Sequence, residues 1–214
     1  MKRMNVFVQL FAAILVAGLC VPAQAASTID FDDAVAPYLF MNAVALTEAY
    51  AGLGVHFVGP GGKDGGAIID QDGNFSVDAR SGRNFLAFNR NSQMSDGGVP
   101  QDPETILFDS LMGEVSIYAA GGVRADTFTM EAYDAADVLV DTDTITTQDW
   151  GLLSVSSAGG IRKVVLAQTA DDDAFVYDDL SFTSLSPVVP APGAIVLGML
   201  GTGLVGWLRR RRSL

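Results

Sequence analysis

Between Ala26 and about Ser186, apolar and polar residues alternate in short runs separated by Gly, Asp and Asn. "STIDFDD", "GVHFVG", "NFLAFN", "TILFD", "EVSIYAAGG", "DTFTMEAYD", "DVLVDTDTIT", "WGLLSVSS", "GIRKVVLAQT" and "AFVYDDLSFTSL" each fit a strand with turn chemistry on either side. In Asp126 to Tyr133, Phe128, Met130 and Ala132 share one face, and Thr127, Thr129 and Glu131 share the other. That is the pattern of a half-buried antiparallel strand. Asp134-Ala135-Ala136-Asp137 then predicts a tight hairpin into the next run. Ten such runs with hardly any helical periodicity predict an all-β fold, a single antiparallel β-sandwich over residues 26–184. One short helix is expected around Ala43 to Tyr50.

Two stretches break the pattern and predict loops. Gly59 to Asn74 holds six glycines, and Asn89 to Glu104 is long and polar, of the kind that crosses between sheets. After the last run, "SLSPVVPAP" brings three prolines and no charge, so residues 185–192 predict an extended linker.

The two ends follow a different hydropathy. Lys2 and Arg3 precede the apolar stretch Val6 to Leu19, and Ala23-Gln24-Ala25 offers small residues for cleavage, so residues 1–25 predict a signal peptide and export. Cys20, the one cysteine, lies inside that leader, which leaves the mature chain without thiol, disulfide or cysteine metal site. Gly193 to Leu208 is an uncharged run of 16 residues, roughly 24 Å long as a helix, and predicts a transmembrane helix. It is short for a span, but Arg209, Arg210, Arg211 and Arg212 can snorkel and act as a stop-transfer block. By the charge rule, residues 209–214 form a cytoplasmic tail and the β domain lies outside. Ala194, Gly198, Thr202 and Gly206 recur every four residues, a smooth stripe on which another membrane helix could pack.

Charge then narrows the partners. Six of the 13 basic residues sit in the terminal segments, so the middle keeps seven against all 25 acids, a formal −18. Such a surface repels phosphate backbones and excludes nucleic acid as a partner.

Candidate chemistry is sparse. His56 is the one histidine, in an apolar strand run, and no Gly-x-Ser-x-Gly, His-Glu-x-x-His or phosphate-loop pattern occurs, so no catalytic residue is assigned. Asp70, Asp72 and Asn74 alternate like the opening of a calcium loop, but position 81, where an EF-hand closes on an acid, is Ser81. A second set is more pointed. If the first and last strands run side by side, "IDFDD" and "VYDDLSF" bring Asp30, Asp32 and Asp33 near Asp178 and Asp179, a tentative calcium site. Val176, Leu180 and Phe182 share strand parity with Asp178, so without a bulge its carboxylate points to the core and needs backbone amides or a cation. Asp171 to Asp173 read as a solvated turn. Trp150, Tyr118, Tyr133 and Tyr177 are the aromatics to examine as sugar platforms, each against a core or edge role.

The tail "VPAPGAIVLGMLGTGLVGWLRRRR" resembles the PEP-CTERM sorting signal of Gram-negative bacteria, in which a Pro-x-Pro motif, a membrane run and terminal arginines follow one another. Its motif here is Val189, Pro190, Ala191, Pro192, Gly193 and Ala194, with Ala191 where the family name has Glu. The resemblance implies an exosortase-type processing enzyme as partner, an inner-membrane precursor, cleavage near Pro190 to Gly193, and passage to the cell surface or exopolysaccharide matrix. "NFLAFN", "TFTMEAYDAADVLV", "GIRKVVLA" and "FVYDDLSF" resemble, more loosely, the jelly-roll, lectin-like domains such proteins carry. Three readings stay open: a non-enzymatic structural or adhesive protein of a biofilm or polysaccharide layer, a calcium-dependent carbohydrate-binding module, and a hydrolase of matrix polysaccharide.

Overall fold

Alternation is obeyed where it is strongest. Along Asp126–Tyr133 every second side chain is buried, with Phe128, Met130 and Ala132 out of contact with solvent. The computed structural model describes residues 25–39, 46, 48–59, 66–73, 75–88, 103–169 and 175–185. These belong to one unit, Gln24–Leu185. Residues 1–24 of the signal peptide with Cys20, residues 186–192 of the linker, the sorting motif, the membrane run and the arginine block lie outside the described residues, as do Asn74 and Asp171 to Asp173.

The described residues form nine strands: β1 (Ser27–Ile29), β2 (Val55–Val58), β3 (Ala67–Asp70), β4 (Asn84–Phe88), β5 (Glu104–Ala120), β6 (Asp126–Tyr133), β7 (Leu139–Thr147), β8 (Gly151–Gln168) and β9 (Phe175–Ser184). All pair antiparallel. The expected all-β, antiparallel class is what the chain adopts. Hydrogen bonding runs through one continuous sheet in the order β3-β4-β9-β5-β8-β6-β7, with β1 added to β9 and β2 to β5.

This sheet folds into two layers because β5 and β8 bend. The first part of β5 pairs with β2 and with the end of β8, while its second part pairs with β9 and with the start of β8. Register shifts fall between Leu107 and Glu114 on β5. Opposite them Gly160 of β8 takes φ +96°, and a Cβ there would press on the Leu111 side chain. Strands that change layer through bulges make the corners of such a fold. Phe128 of β6 then meets Phe175 and Tyr177 of β9 across the interior, with ring centroids 5.8 and 5.7 Å apart. Phe108 of β5 meets Phe182 of β9 at 5.5 Å. One apolar cluster joins both layers, and each edge-on ring pair adds about 1 kcal/mol beyond its area.

Four sequence expectations change. "TILFD" and "EVSIYAAGG" are one strand, β5, and "WGLLSVSS" and "GIRKVVLAQT" are one strand, β8, because their polar and glycine separators form bulges that keep the ladder going. Ala67–Asp70, inside the glycine-rich stretch expected as a loop, is β3, paired with β4. Of the helix expected around Ala43 to Tyr50, Glu48 to Tyr50 form a turn that runs into a 3-10 turn at Ala51–Leu53, and residues 43–45 and 47 lie outside the described residues. The hairpin at Asp134 to Asp137 is present: the Asp134 carboxylate accepts the Ala136 and Val138 amides at 2.8 and 3.0 Å.

Candidate functional site

A bulge in β9 decides where the acids go. Ser116 faces Ser181 and Tyr118 faces Asp178, so three steps on β9 oppose two on β5, and Asp179 absorbs the extra residue at φ +50°. Strand parity flips across it. Phe175 and Tyr177 point into the main core before the bulge, and Leu180 and Phe182 point there after it. Asp178 therefore lies on the opposite face with Val176, which belongs to a second cluster with Phe75, Phe85 and Ala87. The expectation that Asp178 faces the main core is corrected: one inserted residue moves it to the outer face, under residues 80–81.

There it is fully buried. Its Oδ2 accepts the backbone amides of Arg80 (2.9 Å) and Ser81 (3.3 Å), and its Oδ1 accepts that of Asp179 (2.7 Å). Burial, with the neighbouring Asp179 charge, pushes its carboxyl up to about 7, against the pull of the three amides. Asp179 pairs with the Arg80 guanidinium and accepts the Ser81 hydroxyl at 2.7 Å. Arg80 is also stacked on Tyr118, 3.4 Å from the ring centroid, so it pins residues 80–81 across the sheet.

The acids of the first strand arrive beside those of the last. β1 pairs with β9, Ile29 opposite Leu180. Beyond β1, Asp32 turns to the other side of the same loop and accepts the amides of Arg83 (2.8 Å) and Asn84 (3.0 Å) through one oxygen. Asp33 accepts the Tyr50 hydroxyl at 2.8 Å, and Asp30 accepts the Asp32 amide at 3.2 Å. Burial and the Asp33 hydrogen bond hold the Tyr50 hydroxyl above its ordinary range. Asp30, Asp32, Asp33, Asp178 and Asp179 are thus neighbours along two strands with separate destinations. Among the described residues no three His, Cys, Asp or Glu side chains are grouped to hold a metal ion. Three amides and a guanidinium already satisfy the two buried carboxylates.

Asp70 and Asp72 serve Arg83. The guanidinium forks onto Asp70, Nε to Oδ2 and Nη2 to Oδ1 at 3.0 Å each, and Nη2 also donates to Asp72 at 2.9 Å. Arg83 holds the Asp70 carboxyl below its usual range, and Asp70 in turn raises Arg83. Asp70 and Arg83 open on a groove of about 410 Å³ with Asp32, Val35, Gly82 and Asn84. Gly82 sits at φ +51° against the Asp32 carboxylate, where a Cβ would overlap it. Val35 and Tyr38 stand exposed on the neighbouring segment, whose Pro37 carbonyl accepts the Asp70 amide. Sequence reasoning missed Arg80 and Arg83. They share a short stretch, but no spacing rule ties Arg80 to a carboxylate 99 residues away, or Arg83 to Asp70 and Asp72 across the β3–β4 turn.

His56 is a surface clasp. Its Nδ1 meets Glu48 and its Nε2 lies 3.2 Å from Asp109, on opposite sides of the ring, and the Glu48 bond leads in raising its affinity for a proton. Arg162 donates to the Asp109 carbonyl. The four aromatics all have internal roles. Tyr177 is buried, Tyr118 lies under Arg80, the Tyr133 ring lies under Lys163, and Trp150 donates to the Asp78 carbonyl at 2.9 Å beside the second cluster.

No protein-family profile matches the chain, and no curated protein does. The structure is similar to the K2 cleaved adhesin domain of Lys-gingipain, at 15% identity and a TM-score of 0.47, over 74% of this chain and 98% of that one. It is similar to the CBM22-1 xylan-binding domain from Paenibacillus barcinonensis, at 15% identity and a TM-score of 0.40, over 79% and 100%. It is also similar to a CBM61 module in complex with β-1,4-galactotriose, at 11% identity and a TM-score of 0.40, over 61% and 88%. At these values neither ligand nor function passes from those domains to this chain.

Proposed function

We propose that this is an exported, non-enzymatic protein, sorted through its PEP-CTERM-like tail to the cell surface or polysaccharide matrix, where its acidic β domain has a structural or adhesive role. One observation carries the domain's part: each of the five carboxylates singled out as candidate chemistry is engaged in holding the chain, by backbone amides, the Tyr50 hydroxyl or Arg80. A general acid and base need carboxylates directed at a substrate. The signal-like leader and the motif Val189 to Ala194 before Arg209 to Arg212 support the route. The test is mass spectrometry of the mature C-terminus combined with cell fractionation. Cleavage between Pro190 and Gly193 with the domain in the surface or medium fraction is expected, and an intact chain confined to the inner membrane refutes the sorting.

A second reading is favoured by the groove at Asp32, Asp70 and Arg83. A guanidinium locked by two carboxylates, beside exposed Val35 and Tyr38, is suited to the hydroxyls and C–H face of a neutral sugar. Retention of the protein on neutral polysaccharide, lost in Tyr38→Ala, supports it. Retention equal in the two proteins removes it. Calcium dependence belongs to this reading only if chelation lowers the retention.

A further inference from the structure

The two layers meet along one side through side chains rather than backbone. β7 ends the sheet order, so one of its edges has no strand beside it among the described residues. The start of β8, Gly151 to Ser156, pairs with β5 on one side and with no described strand on the other. Asp141 and Asp143 of β7 bridge these two edges. Asp141 accepts the Thr142 amide through Oδ1 at 2.9 Å and the Ser156 amide through Oδ2 at 2.8 Å. Asp143 accepts the Thr144 amide through Oδ1 at 2.8 Å and the Ser154 amide through Oδ2 at 2.9 Å. Each carboxylate therefore holds one amide from each edge, and only an ionised carboxylate offers two accepting oxygens for that task.

We propose that Asp141 and Asp143 form a carboxylate seam that closes the open side of the domain and keeps the β7 and β8 edges from pairing with a second copy of this chain. An amide side chain in place of either carboxylate turns an NH2 toward one N–H, so one edge amide per residue loses its acceptor. Freed edge amides need a new acceptor, and a strand edge of another copy supplies a row of them. The strands suit such pairing. Thr142, Thr144 and Thr146 line β7, Ser154 and Ser156 line β8, and Val138, Leu139 and Val140 stand exposed where β7 begins. An antiparallel edge is self-complementary about a twofold axis.

The groups around the seam leave the two aspartates in control. Asp141 and Asp143 lie opposite Ala132 and Met130 on β6, both uncharged and buried. On the same elements, Glu131 faces Thr142, Glu114 of β5 faces Ser156, and Lys163 of β8 pairs with Asp137 and lies by Tyr133.

The test compares the full chain with its Asp141→Asn/Asp143→Asn variant near neutral pH, by hydrogen exchange and sedimentation. Each Asn keeps one accepting oxygen and turns an NH2 toward the other amide. Exchange at Thr142, Thr144, Ser154 and Ser156 is expected to quicken about tenfold, and the variant to sediment as a larger species. Adding Thr144→Lys, a charge on the freed edge, restores the wild-type sedimentation while exchange stays fast. Unchanged exchange overturns the seam, fast exchange with wild-type sedimentation overturns the pairing, and association that survives Thr144→Lys overturns the β7 edge as its site. If the double variant does not fold, Asp143→Asn alone is read in the same way at Thr144 and Ser154.

Discussion

Asp178→Asn tests the bulge most directly, because two opposed effects of known sign meet at one carboxylate. In the wild type its oxygens serve three buried amides, two on Oδ2 and one on Oδ1. Asn can keep the Arg80 and Ser81 amides with its oxygen, but its NH2 then faces the Asp179 N–H. One buried donor loses its acceptor, which costs about 1–3 kcal/mol. The second effect concerns protons. The Asp178 carboxyl rises from 3.8 to about 7 on folding, so the folded state binds a proton the unfolded chain has released. A folded value above the unfolded one stabilises at low pH, and that contribution is lost as pH rises from about 4 through about 7. A shift of roughly three units corresponds to about 4 kcal/mol, of which about 2–3 falls between about pH 5 and about pH 8. The variant has no such loss. Urea unfolding of both proteins across that range is therefore expected to show them within about 1 kcal/mol at pH 5, where the protonated wild-type carboxyl also turns a hydrogen toward an amide, and Asn gaining about 2–3 kcal/mol on the wild type by pH 8. A gap that stays constant with pH refutes the reasoning, since it means that the three amides outweigh burial and keep Asp178 ionised throughout.

Two further outcomes follow from the same geometry. Gly160→Ala places a Cβ against Leu111 at φ +96° and is expected to lower stability by about 1–3 kcal/mol, seen as a reduced Tm; an unchanged Tm removes the bend of β8 as a glycine-dependent corner. His56→Gln removes the group whose proton is held by Glu48 and Asp109. The wild type holds that contribution fully below about pH 6.5 and loses it as pH rises through the higher folded value, so its Tm is expected to fall with pH more steeply than the variant's, and parallel profiles count against the clasp.

Legibility differed between fold and site for a physical reason. Side-chain alternation is local, so the strands could be read where polar and apolar residues changed places at every step, as in Asp126 to Tyr133. It was misread where the ladder continues through a bulge. Asp109 to Gly113 and Ser157 to Gly160 have turn composition, yet the strands on both sides remain paired. It also failed at β3, a four-residue strand whose partner, β4, lies beyond an intervening 3-10 turn and loop.

The site depended on parity and on distant partners. Reading Val176, Asp178, Leu180 and Phe182 as one face assumes an unbroken strand, and one inserted residue at Asp179 reverses the outcome. The spacing of Asp70 and Asp72 resembles the opening of a calcium loop that Ser81 leaves without its closing acid, and Arg83 from across the β3–β4 turn supplies the positive charge. Asp141 and Asp143 look in the sequence like polar positions of an edge strand. Their role appears only when β8 is bent to lie beside β7.

By itself, then, the sequence determined the antiparallel all-β class, the acidic character of the domain, and the strand content around Phe128, Tyr177 and Phe182, since period and composition act within a few residues. Tertiary structure alone decided which carboxylate meets which amide or guanidinium. Those choices rest on a bulge in β9, a corner at Gly160 and contacts spanning up to 99 residues of sequence, where a shift of one position turns a side chain to the other face.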